Sequence, residues 1–118
     1  MSKLADQIVG ELIDMGDPER AQHSQRFFKT GKGEYGEGDV FLGIKVPHQR
    51  ALAKRYKQAT RSDTLDLLHS SYHEARLSAL FLLVNLYNLA DATGKTQIYK
   101  DYLDNIEYIN NWDLVDSS

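Results

Sequence analysis

The stretch from Glu74 to Ala90 is apolar around most of a helical circumference. Ala75, Leu77, Ala79, Leu80, Leu82, Leu83, Val84, Leu86 and Leu89 cover it, and Glu74, Ser78, Asn85 and Asn88 leave a narrow polar strip. A helix this apolar has to be covered on several sides. The pattern therefore predicts a central core helix with amphipathic helices packed around it.

Those neighbours can be read on either side. Leu4, Ala5, Ile8, Val9, Leu12 and Ile13 recur with helical periodicity. Gly16 ends that helix, and Asp17-Pro18 starts a second that runs to about Lys29, with Ala21, Ser24, Phe27 and Phe28 inward. Pro47 opens a third helix over about 47–59, with Ala51, Leu52 and Tyr56 inward. Ser62 with Asp63 reads as the cap and first turn of a fourth, carrying Leu65, Leu67 and Leu68. Beyond the central helix, Asp91, Thr93 and Gly94 break the chain. Ile98, Tyr99, Tyr102, Leu103 and Ile106 then predict a sixth amphipathic helix. No segment reads as a strand. The fold class is all-α, built from antiparallel helix pairs, either stacked as an α-solenoid or closed as a bundle.

The chain of 118 residues is sized for a single domain, 1–118. It has no cysteine, which excludes disulfides and thiolate metal sites. No apolar run reaches the 18 or so residues of a membrane span, and the N-terminus lacks a signal-peptide core. These features predict a cytoplasmic protein with no membrane association. The net charge of −3 argues against a generic polyanion binder, but the charge is unevenly spread. Lys45, Arg50, Lys54, Arg55, Lys57 and Arg61 fall between Val40 and Ser62 with no acid among them. Arg50, Lys54, Lys57 and Arg61 follow at three- and four-residue intervals and predict a basic ridge, which attracts phosphates locally whatever the net charge.

Two patterns imply less. Gly31-Lys32-Gly33-Glu34-Tyr35-Gly36 has the spacing G-x-G-x-x-G, but it follows a helix and the glycine-rich segment to Asp39 carries three acids, Glu34, Glu37 and Asp39, so a surface loop is expected. His69 and His73 are four residues apart, yet Ser70-Ser71 intervenes and no third ligand stands out. Neither a metal site nor a cofactor is expected.

At the end of the sequence, Asn110 and Asn111 are both good helix N-caps, and the only tryptophan follows at once. With Asn111 as the cap, Trp112 and Asp116 share one face of a helix near the positive end of its dipole. That helix has barely begun at Ser118, so the chain is expected to be a piece, or a natural truncation, of a longer protein.

The segment Phe41-Leu42-Gly43-Ile44-Lys45-Val46-Pro47-His48-Gln49-Arg50 resembles the F-L-G-(I/V)-(K/R)-x-P-x-x-R signature of the DNA alkylation repair family, the AlkD-like glycosylases. Asn110 to Asp116 resembles the same family's N-x-W-D-x-x-D motif. The resemblance implies a HEAT-like α-solenoid, of which this chain is the N-terminal half. It also implies hydrolysis of the N-glycosidic bond of cationic N3- and N7-alkylated purines in duplex DNA. By that resemblance Trp112 and Asp116 are the catalytic pair; Lys45, Arg50, Lys54 and Arg55, read from their charge, are expected to grip DNA phosphates. The family's cleft also uses an arginine and an aromatic with no counterpart before Ser118, so residues 1–118 alone are expected to be weakly active or inactive. The alternative is a non-catalytic helical-repeat module that binds DNA structure or a protein partner. A homo-oligomer that covers the terminal helix is a further expectation.

Overall fold

The computed structural model describes residues 2–27 and 40–109. Among the described residues six α-helices follow one another: α1 Lys3–Met15, α2 Pro18–Phe27, α3 Val46–Arg55, α4 Arg61–Leu68, α5 His73–Leu89 and α6 Ala92–Asp104. A short 3-10 turn, η1, spans Ile106–Tyr108. There is no strand among the described residues; Val40 and Tyr72 form an isolated bridge. No described helix is long and apolar enough to cross a membrane. Residues 28–39, with the glycine-rich stretch expected to be a surface loop, and everything after Ile109 lie outside the described residues.

Local chemistry sets the helix starts. Ser2 caps α1 by accepting the Ala5 amide at 3.0 Å. Asp91 caps α6 through the Gly94 amide at 2.8 Å. The start of α4 is a reciprocal capping box, in which Thr60 Oγ1 accepts from the Asp63 amide and Asp63 accepts from the Thr60 amide. The cap is therefore Thr60, not Ser62. Helix α3 begins at Val46 and ends at Arg55, shorter than its sequence implied. Thr93 and Gly94 lie inside α6 rather than in a break before it.

As expected, α5 is the centre. It packs against α4, α3, α6 and α1. Ile8, Leu12, Leu52, Leu67 and Leu68 are fully buried around it, together with its own Leu77 and Leu80. Burying side chains of this size contributes about 1.5–3 kcal/mol each.

The expected polar strip of α5 holds at Asn85 and Asn88 and is corrected at Glu74 and Ser78. Glu74 and Ser78 are 3% and 1% exposed, and every residue from His73 to Leu80 is buried. Arg76 is buried too, and desolvation lowers its guanidinium to about 10. Glu74 is accommodated because the loop before α3 brings amides to it. The amides of Leu42 and Gly43 donate to its carboxylate at 2.9 Å each, and that of Ile44 at 3.4 Å. Gly43 makes this path possible. Its φ is +81°, and a Cβ there would lie 2.2 Å from the Asp17 carbonyl oxygen and 2.6 Å from the Ala21 amide nitrogen. The Asp17 amide in turn donates to the Leu42 carbonyl at 2.9 Å. The Phe41–Pro47 stretch is thus wedged between the α1–α2 corner and the core helix.

Four inward assignments are also corrected. Leu52 and Tyr56 are buried as expected, but Ala51 is exposed, and Gln49 takes the remaining inward place on α3. Tyr99, Leu103 and Ile106 are 60%, 46% and 54% exposed, because α6 buries the line through Ile98 and Asp101.

Candidate nucleic-acid interface

Helices α3 and α5 form the two walls of a groove of about 410 Å³. From α3 and the turn after it come Arg50, Lys54 and Lys57; from α5 come Phe81, Asn85 and Asn88. A spacing of four residues puts Arg50 and Lys54 on one side of α3, and Lys57 in the turn after the helix joins them along the groove. A spacing of three sets Asn85 and Asn88 one turn apart on α5. The Arg50 guanidinium lies over the Phe81 ring, 4.4 Å from its centroid. Stacking of this kind holds the cation in place while its N–H groups stay free for an anion. Three cations facing two amides on a half-apolar floor can take a run of anionic oxygens, the arrangement that phosphodiester contacts require.

The expected basic ridge divides. Arg50 and Lys54 enter the groove together, joined by Lys57. Lys45, at the N-cap of α3, lines a separate cavity with Arg20 and His23. Arg55 turns toward α1, where its guanidinium is 3.9 Å from Glu11. Arg61 belongs to α4 and forms an ion pair with Asp101 of α6 at 2.5 Å. The ridge breaks because α3 stops at Arg55 and the chain turns before Arg61.

The two histidines weighed as metal ligands are held on separate elements. His69 caps the C-terminus of α4, whereas His73 is buried at the start of α5 with its ring stacked on Phe41 at 4.5 Å. No group of three or more candidate metal ligands occurs among the described residues. Trp112 and Asp116 lie outside the described residues. The chain leads into them from η1 and Ile109, the latter buried at 6% exposure.

Sequence reasoning missed the second wall. Asn85 and Asn88 were visible as polar positions on an apolar helix, but nothing in the sequence paired them with α3. The role of Glu74 had no sequence signal beyond an acid at the head of an apolar run.

A model of the DNA alkylation repair enzyme family matches residues 8–118. The chain belongs to that family. No curated protein and no solved structure matches the chain. Membership in the DNA alkylation repair family gives the chain a role in DNA repair and makes DNA its partner. The match includes the groove, the Phe41–Pro47 stretch and the Asn110–Asp116 motif.

Proposed function

We propose that the protein is an alkylpurine DNA glycosylase of base-excision repair, acting on cationic N3- and N7-alkylated purines in duplex DNA. Residues 1–118 are the N-terminal portion of a HEAT-like α-solenoid domain, working in the cytoplasm. The observation that carries this reading is the α3–α5 groove, where Arg50, Lys54 and Lys57 face Asn85 and Asn88 in a chain of the DNA alkylation repair family.

The groove grips backbone phosphates, so binding is independent of sequence and sensitive to salt. An alkylated purine already carries a positive charge and leaves without much acid catalysis. The sugar needs the help, because it becomes oxocarbenium-like as the bond breaks. Asp116 stabilises that charge and positions the attacking water. The Trp112 indole packs on the deoxyribose and tolerates its developing charge through the ring quadrupole.

The test is release of alkylated base from duplex DNA by the full-length protein and by its Asp116→Asn variant. Lost excision with DNA binding retained is the expected result. A variant that excises as fast as the parent removes the carboxylate from the mechanism. A parent protein that binds DNA and releases no base leaves the non-catalytic binding module as the function.

A further inference from the structure

The cations around α3 are held in two different ways. Arg55 faces Glu11 and Arg61 pairs with Asp101, so each of those guanidinium groups has a carboxylate beside it. Arg50, Lys54 and Lys57 have no such carboxylate among the described residues. Arg50 lies instead over the Phe81 ring, 4.4 Å from its centroid. A carboxylate offsets the charge of a guanidinium and takes up its N–H donors. An aromatic face attracts the cation through its quadrupole and leaves the edge of the guanidinium plane open to an anion.

Phe81 can serve as a seat because it is itself fixed. The ring is half-buried and packs against the core, and its neighbours Leu80 and Leu82 on α5 are buried. Phe81, Asn85 and Asn88 follow at intervals of four and three residues, so the ring shares the groove wall with both amides. Arg50 is exposed, between the buried Gln49 and Leu52. A long exposed side chain samples many rotamers, and ordering it at the moment of binding costs affinity. A ring that orders it beforehand removes that cost from the binding step.

We propose that Phe81 is a positioning residue for DNA binding, which holds the Arg50 guanidinium ordered at the groove, with no acid beside it, where a backbone phosphate meets it. The proposal deepens the reading of the α3–α5 groove as the DNA site and rests on it. Phe81 brings no charge and donates no hydrogen bond. It therefore raises affinity equally at every salt concentration, whereas Arg50, Lys54 and Lys57 also set how steeply affinity falls with salt.

The experiment compares the full-length parent protein with Phe81→Leu, Phe81→Tyr, Arg50→Ala, Lys54→Ala and the double variant Phe81→Leu/Arg50→Ala. Leucine keeps the apolar packing and removes the ring, and tyrosine keeps the ring. NMR of the free protein reads the seat directly. The Arg50 Hδ protons should be shifted upfield by the ring in the parent and in Phe81→Tyr, and should lose that shift in Phe81→Leu. Affinity for duplex DNA should fall roughly twofold to fivefold in Phe81→Leu, with the salt slope unchanged, and should recover in Phe81→Tyr. In the Arg50→Ala background the leucine substitution should cost nothing further. Arg50 resonances that ignore the leucine substitution overturn the proposal. So does a loss of affinity that persists undiminished in the Arg50→Ala background, which would make Phe81 a core residue and nothing more. If Arg50→Ala and Lys54→Ala bind duplex as tightly as the parent, the groove reading fails and takes the proposal with it. If they weaken binding and Phe81→Leu does not, the groove stands and the role of Phe81 alone is overturned.

Discussion

The Gly43 amide donates to the Glu74 carboxylate at 2.9 Å, across 31 residues of sequence. With the Leu42 and Ile44 amides it gives one buried acid three backbone donors. Removing the acid leaves those donors without their acceptor in a region closed to water. Glu74→Ala should therefore destabilise the fold by about 3 kcal/mol or more. Glu74→Gln should fall in between, because its amide oxygen still accepts while its NH2 opposes a backbone N–H. Urea unfolding of the three proteins checks the order.

Gly43→Ala tests the other side of the same contact. The added methyl would meet backbone atoms of Asp17 and Ala21, which have no flexible end to move aside. The positive φ adds strain of its own. A loss of about 2–4 kcal/mol is expected in thermal or urea unfolding.

The groove predicts a division among the cations. Arg50→Ala, Lys54→Ala or Lys57→Ala should each weaken duplex binding and lower the slope of log affinity against log salt by about 1. Arg55→Ala should leave the slope unchanged, because its side chain turns to Glu11. Arg50→Lys should restore the charge without restoring the stack on Phe81, and so recover only part of the affinity. Titrations at several salt concentrations separate these cases.

The α4 capping box gives a pH-dependent prediction. The Thr60 backbone amide, which donates to the Asp63 carboxylate, holds its carboxyl below the usual aspartate value. A carboxylate whose folded pKa is depressed contributes stability that is present above its unfolded pKa. That stability is lost as pH falls through the folded value. Asp63→Ala should cost about 1 kcal/mol near neutral pH. The gap from the parent protein should narrow as pH falls below the usual aspartate range, because the folded value is the lower of the two. Paired urea titrations across that range measure it.

The sequence made the central helix plain, because few contexts tolerate so many leucines on one turn after another. It did not reveal that Glu74 is buried, since the amides that accommodate the acid come from a loop some thirty residues earlier. Periodicity reports only neighbours along one helix. For the same reason Arg50 and Lys54 could be paired by spacing, whereas Asn85 and Asn88 could not be placed opposite them. The spacing carries the ridge on through Arg61 because nothing near Tyr56 marks a stop: no glycine or proline lies between Arg55 and Arg61. Tyr99, Leu103 and Ile106 carry an amphipathic pattern that the described fold leaves outward. The two motifs of the resemblance fared differently. One is a visible corner of the fold, and the other lies past Ile109, outside the described residues.

The backbone N–H groups of Leu42, Gly43 and Ile44 already have an occupant, and so have none to offer a nucleic acid. The Phe41–Pro47 signature is thereby a mark of architecture. A chain could keep this corner intact and carry a different reactive end, or none. Possession of the signature alone identifies a scaffold, while the reaction has to be read from the other motif.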